Sequence, residues 1–214
     1  MTLAEVAERL NARNAPMRQG PVLPPLLLMS DPFRLPDPAR AAEGLPRGSG
    51  IILREPDAEV RRRRAEALLP FARARGLILL IGNDPALAFA LGAHGVHFSE
   101  ARLSEALGAR RRPDWLLTGA AHSLAALRQA ARAGLDAALL SPVFPTASHP
   151  DARPLGPFLF AKLVRRAALP VYALGGLTSR NAALLLASGA VGLAGIEGLS
   201  ARQTERSLEP PLAR

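Results

Sequence analysis

Short runs of consecutive apolar residues alternate along the chain with longer stretches of helical periodicity. The runs are Leu26–Ser30, Gly50–Arg54, Leu77–Asn83, Gly95–Ser99, Leu116–His122, Ala137–Val143, Val171–Gly176 and Gly192–Ile196. Each is continuously hydrophobic and does not alternate apolar with polar. Strands buried on both faces of a parallel sheet have this pattern. The stretches between them carry helix punctuation, a capping oxygen before the first turn and a glycine after the last. Asp57 and Gly76 bracket one helix, Ser123 and Gly134 a second, and Thr178 or Ser179 with Gly189 a third. Pro70 predicts a kink in the first of these. Shorter helical segments fall near Pro38–Glu43 and Ala101–Leu107. MTLAEVAERLNARNAP reads as an amphipathic helix over Thr2–Arg13, ahead of the first strand.

Eight strand–helix steps in regular alternation predict an α/β fold: a single (β/α)8 TIM barrel with an extra N-terminal helix. One domain is expected over residues 1–214, with 1–20 as helix and lead-in and 22–207 as barrel. A doubly wound open sheet is the alternative. The even alternation, with no second domain, favours the barrel.

Composition narrows the class. The chain has 214 residues, 49% hydrophobic and 21% charged, which supports a buried core and excludes a disordered chain. No apolar run reaches about 18 residues, so no membrane span is expected. The N-terminus carries acids and lacks the basic start and apolar core of a signal peptide, so the cytoplasm is the expected compartment. Absence of cysteine excludes disulfides, thiolate metal sites and a Cys nucleophile. The formal charge of +9 is almost all arginine, and Lys162 is the single lysine. The arginine runs Arg61–Arg64 and Arg110–Arg112 read either as attraction for anions or as solvated helix faces. Aromatic content is 4%, too little for base-stacking platforms, so nucleic acid is not an expected partner.

Candidate chemistry gathers at the ends of the strands. VYALGG and GLAGIEG place glycines at the ends of the seventh and eighth strands, where barrels of this type hold phosphate groups. Bare backbone lets N–H groups approach an anion closely. The expected grip is built from Gly175, Gly176, Gly195 and Ile196, with the Glu197 carboxylate a complication. Asn83 and Asp84 end the third strand, as site residues or, for Asp84, as the cap of a helix starting at Pro85. Arg54 ends the second strand, either in the site or paired with Glu55. His122 ends the fifth strand and His149 lies in the loop Pro145–Pro157; both are candidates for proton transfer or idle surface imidazoles. His97 reads as a core residue and His94 as a loop-surface one. The histidines show no zinc spacing.

Three segments resemble the thiamine phosphate synthase and TenI family: NDPALAFALGAHGVHFSE, SPVFPTASHPDARPLG and LPVYALGGLTSRNAALLLASGA. The resemblance runs from about Gly50 to Ile196 with motif order and spacing kept. It implies a TIM barrel that couples a pyrimidine diphosphate to a thiazole phosphate with Mg²⁺. In the TenI branch it implies proton transfer that aromatises a thiazole phosphate. It assigns Arg54 and Asn83 to the diphosphate, Asp84 to Mg²⁺, and Thr146 and Ser148 to the phosphate-binding loop. A homo-oligomer is also implied. Several family positions differ. Ile52 and Pro56 stand where Gln and Lys are expected, Ala120 where Ser is, and His149 where Lys is. Arg102 stands at the second acidic position and weakens the expected Mg²⁺ site. The family pattern across the fourth strand is GADGVHLGQED, where this chain has GAHGVHFSEAR. The activities left open are the coupling reaction, TenI-like tautomerisation and ligand sensing without catalysis. An isomerase acting on another phosphate ester is a more distant alternative.

Overall fold

In the computed structural model, eight parallel strands close into a barrel in the order β1 to β8. The strands are β1 (Leu26–Met29), β2 (Gly50–Leu53), β3 (Ile78–Gly82), β4 (Gly95–Phe98), β5 (Leu116–Ala121), β6 (Ala137–Leu140), β7 (Val171–Leu174) and β8 (Gly192–Gly195). The α-helices are α1 (Leu3–Asn14), α2 (Pro38–Ala42), α3 (Ala58–Arg75), α4 (Pro85–Leu91), α5 (Leu124–Arg132) and α6 (Gly156–Val164). The structure describes residues 1–15, 21–147, 151–196 and 199. All eight predicted runs are strands, and each leaves the ladder one to three residues before its apolar run ends. Those trailing residues form the mouth of the barrel.

Local signals explain most helices. Thr2 and Glu5 form a reciprocal capping box on α1. Asp57, Asp84 and Ser123 cap α3, α4 and α5 through side-chain oxygens. Gly76 and Gly92 close α3 and α4 in the left-handed conformation. α3 continues through Pro70, which sits on its exposed face. Two connections differ from the expected α-helices. After β4 the chain makes a 3₁₀ helix over Glu100–Ala106, and after β7 one over Ala182–Leu185. In the second, Thr178 N–H donates to Asn181 Oδ1 (2.8 Å) and Asn181 N–H to Thr178 Oγ1 (3.3 Å). That reciprocal turn uses the capping oxygen before an α-helix can start. Among the described residues, no helix is long and apolar enough to cross a membrane.

Alternating strand positions divide the core in two. Leu27, Met29, Ile52, Leu80, Leu116, Leu139, Tyr172 and Ala194 pack inside the barrel. Their neighbours, such as Leu28, Ile51, Val96, Phe98 and Leu193, pack outward under the helices. His97 points inward and bonds to buried Thr118 (Nδ1 to Oγ1, 2.9 Å). Burial, and then the Arg54 charge, lowers its pKa to about 3, so it is a neutral core histidine, as the sequence indicated. His94 departs from expectation. It is half-buried, and its Nδ1 accepts from Leu79 N–H at 3.0 Å as a side-chain oxygen would.

Closure depends on the seam between β8 and β1. Asn11 on α1 donates from one Nδ2 to Leu23 O and Val191 O, both at 3.0 Å, bridging the segments that lead into the two strands. Asn14 donates to Ala190 O at 2.8 Å. Buried Tyr172 donates to Pro24 O at 2.7 Å. A Cβ at Gly192 would lie 2.3 Å from Pro25 O and 2.7 Å from the Tyr172 ring, so only glycine allows this approach. Asn11→Ala is expected to lower the unfolding free energy by about 1–3 kcal/mol, because two carbonyls lose one shared donor. Urea denaturation would measure this, and an unchanged midpoint would mean that α1 does not hold the seam.

Candidate functional site

The ends of β1 and β2 are tied together by hydrogen bonds that extend the ladder into the mouth. Ser30 Oγ accepts from Arg54 N–H (2.8 Å) and donates to Arg54 O (3.2 Å). Arg54 Nε donates to Ser30 O (3.1 Å) and Nη2 to Asp31 Oδ2 (3.2 Å). Asp31 also organises the loop after β1. Its Oδ1 accepts from the N–H groups of Phe33 and Arg34, and its Oδ2 from Arg34 Nη2 at 3.1 Å. Burial alone would raise the Asp31 pKa. The hydrogen bonds from Arg34 and Phe33, together with the Arg34 charge, outweigh burial and hold it below the ordinary value. Arg54 is therefore paired with Asp31, while Glu55 pairs with Arg64, whose Nη1 lies 3.0 Å from Glu55 Oε2.

At the ends of β3 and β4, Asn83 adopts a left-handed conformation (φ 55°), which asparagine tolerates better than most residues. Its N–H donates to His97 O and its Oδ1 accepts from Ser99 N–H, both at 2.8 Å. Asp84 is committed at both oxygens. Oδ1 caps α4 at Leu87 N–H (2.9 Å), and Oδ2 accepts from Arg61 Nη2 (3.0 Å) and Nε (3.3 Å). Arg61 Nη1 donates to Glu55 O at 2.7 Å and Pro56 O at 3.3 Å. Arg102 donates to Asn83 O at 3.0 Å and pairs with Glu105.

His122 follows β5 and sits on Glu100, which follows β4. Glu100 Oε2 accepts from the His122 backbone N–H at 2.7 Å and lies 2.6 Å from its Nδ1. Both side chains remain partly exposed at the mouth.

The glycine turn after β7 is packed against the loop after β6. Gly175 and Gly176 have φ values of 98° and 64°. A Cβ at Gly176 would lie 2.3 Å from Pro145 O and 2.8 Å from Phe144 O, so the pair is also needed for packing. Val143 and Phe144 N–H donate to Leu174 O and Gly175 O, and Asn181 Nδ2 donates to Gly176 O at 2.8 Å. Among the described residues, no acceptor takes the Gly176 N–H. Gly195 ends β8, and among the described residues a Cβ there would meet the Leu199 side chain at 3.3 Å. Ile196 follows it, half-buried beside the interior cluster. Thr146 lies in the loop after β6. Ser148, His149 and Glu197 lie outside the described residues.

The family model for thiamine monophosphate synthase matches residues 37–199. The chain belongs to the thiamine phosphate synthase and TenI family. The chain is 31% identical over 177 residues to the thiamine-phosphate synthase of Thioalkalivibrio sulfidiphilus, covering 80% of this chain and 84% of that one. It is 35% identical over 155 residues to that of Roseiflexus castenholzii, covering 71% and 68%. The solved thiamine phosphate pyrophosphorylase of Pyrococcus furiosus superposes with a TM-score of 0.68 at 24% identity, covering 81% of this chain and 89% of that one, a likeness of fold.

Against this family, the metal end of the mouth is altered. Mg²⁺ needs oxygen ligands in near-octahedral arrangement, with at least one available carboxylate. Here both Asp84 oxygens are taken by the α4 cap and Arg61, and the second acidic position holds a guanidinium. Among the described residues, no three acids or histidines gather where a metal could sit. The residues present do not fit the ion. Arg61 and Glu100 were missed in the sequence. Arg61 belongs to an arginine run whose next two members, Arg62 and Arg63, are exposed. The pairing of Glu100 with His122 crosses from one strand end to the next and leaves no local pattern.

Asp31 generates a pH prediction. A carboxyl held below its unfolded value stabilises the fold above that value, and the contribution is lost as pH falls through the folded pKa. Acid unfolding of Asp31→Asn should therefore be less steep below about pH 4 than that of the unaltered chain. Superimposable acid limbs would count against Asp31 as an organiser of the mouth.

Proposed function

We propose that the chain binds a thiazole phosphate at the ends of β7 and β8 and moves a proton on its ring, as in the TenI branch. The observation that carries this reading is the Arg61–Asp84 pair, which fills the metal end of the mouth while the glycine turn and His122 are kept. The phosphate would rest on N–H groups around Gly176, Gly195 and Ile196, with Thr146 and Ser148 as further contacts. Tautomerisation needs no leaving group and no electron acceptor. One C–H bond breaks, a base holds the proton, and a proton returns elsewhere on the same molecule. His122 is the residue placed to serve as that base. His149, outside the described residues, is a second candidate.

The second reading is the coupling reaction itself, favoured by relatives named thiamine-phosphate synthase. It would place a pyrimidine diphosphate near Arg54 and Asn83 with Mg²⁺ on Asp84. Breaking the diphosphate bond without neutralising the leaving group is the difficulty for that reading.

A thermal-shift titration separates the two. Hydroxyethylthiazole phosphate should raise the melting temperature equally with Mg²⁺ or with EDTA, and the unphosphorylated alcohol should not. Substitution of Gly176 is a poor probe, because any side chain there strikes Pro145. Incubation with the pyrimidine diphosphate and Mg²⁺ should yield no thiamine phosphate. Its accumulation would establish the second reading instead, and no shift with the thiazole phosphate would remove both.

A further inference from the structure

We infer that Glu100 is a positioning residue that holds the His122 ring with its proton on Nδ1, so that Nε2 is the nitrogen that exchanges a proton with a bound ligand. The identity of that ligand rests on the thiazole phosphate reading; the tautomer does not.

The geometry is specific. A single oxygen, Glu100 Oε2, accepts from the His122 backbone N–H at 2.7 Å and lies 2.6 Å from Nδ1. An ionised carboxylate only accepts, so the ring nitrogen facing it must carry hydrogen. In a neutral imidazole this leaves the lone pair on Nε2. The two contacts share one acceptor, which fixes the ring relative to its own backbone. That backbone is held in turn, because β5 ends at Ala121 and Ser123 caps α5. Glu100 is set by β4, which pairs with β5 in a register that aligns Phe98 with Gly119. The pair is therefore a product of the barrel and not of a mobile loop.

Charge favours the same assignment. Arg102, on the same turn as Glu100, is directed to Glu105 and to Asn83 O, so Glu100 is not drawn into that pair. The family pattern has a neutral Gln at this position. A carboxylate here adds what an amide cannot, a full negative charge on the acceptor that faces Nδ1. Carboxylates behind catalytic and metal-bound histidines act in the same way, through orientation, tautomer choice and charge.

Long-range ¹H–¹⁵N NMR of the uniformly labelled full chain reads the tautomer without any ligand. The His122 signals are assigned as those missing from His122→Gln. At a pH where the ring is neutral, Nδ1 should show a pyrrole-type shift and Nε2 a pyridine-type shift. Glu100→Ala should move the proton to Nε2, the form free histidine prefers, and Glu100→Gln should keep it on Nδ1 because the amide oxygen still accepts. A neutral His122 protonated on Nε2 in the unaltered chain overturns the inference. So does a Glu100→Ala spectrum with the Nδ1 proton unchanged. If Glu100→Ala does not fold, the unaltered chain and Glu100→Gln decide alone, since Nε2–H in either is incompatible with the assignment. An Nδ1–H ring in a chain that fails to bind thiazole phosphate would overturn the proposed ligand and leave the role of Glu100 standing.

Discussion

Everything at the mouth depends on β8 returning to β1. A parallel barrel has no unpaired edge only when its first and last strands meet, and here they meet with Leu27 opposite Ala194 and Leu28 opposite Gly195. The closing contacts are polar and lie below the barrel, away from the chemistry. One asparagine amide spans both lead-in segments, a tyrosine hydroxyl takes Pro24 O, and a glycine lets β8 pass under the Tyr172 ring. Burial pushes the Tyr172 pKa far up, so its hydroxyl stays a donor at any ordinary pH. With the seam closed, the end of β8 lies next to the β1 and β2 ends, where Asp31 and Arg54 stand. The Gly175–Gly176 turn and the arginine cluster thus share one mouth.

Within that mouth, Asp31, Asp84 and Glu105 are already paired with arginines of the chain itself. Asp31 serves Arg34 and Arg54, Asp84 serves Arg61, and Glu105 serves Arg102. The Arg61–Asp84 pair matters most, because both side chains are mostly buried, at 13% and 24% exposure. Separating a partly buried pair leaves an uncompensated charge, a loss of several kcal/mol in well-buried cases. A divalent ion would have to displace that guanidinium and sit beside Arg102 as well. The lysine expected at Pro56 is missing, yet Arg61 donates to Pro56 O, so a positive charge returns to this corner from α3. The corner remains basic while its carboxylate is no longer available to a metal.

The parts legible in the sequence are those set by local chemistry. Continuous apolar runs gave eight strands in order, and Asp57, Asp84 and Ser123 declared themselves as caps through oxygens that precede helical patterns. The Gly175–Gly176 pair was visible because only glycine takes those φ values so close to another loop. What was hidden involves contacts between elements. Arg61 sits in a run of four arginines, and only the helix phase relative to the barrel turns it, and not Arg62, toward Asp84. Glu100 meets His122 because neighbouring strand ends are adjacent in space though 22 residues apart in sequence. Asp31 has no local pattern that marks it, and only the β1–β2 pairing brings Arg54 to it. The helix expected after β7 was shortened by Thr178 and Asn181, polar residues that suit a cap and an isolated turn equally well.

The floor of the mouth has its own bearing on proton transfer. His97 and Thr118 form a neutral hydrogen-bonded pair inside the barrel, and His97, with a pKa near 3, stays uncharged through the physiological range. A charged floor would oppose Arg54 directly, since the Arg54 charge is already one of the influences lowering His97. A neutral one leaves the rim to set the field. On the rim, the arginines are matched by acids, and Glu100 faces an imidazole in place of a guanidinium. Among the described residues, the β4–β5 edge is thus where a carboxylate of the rim meets an imidazole. The isomerisation proposed above would use such an edge, together with an anchor for the anion on the opposite strands. Gly175–Gly176, after β7, is the turn proposed for that second position.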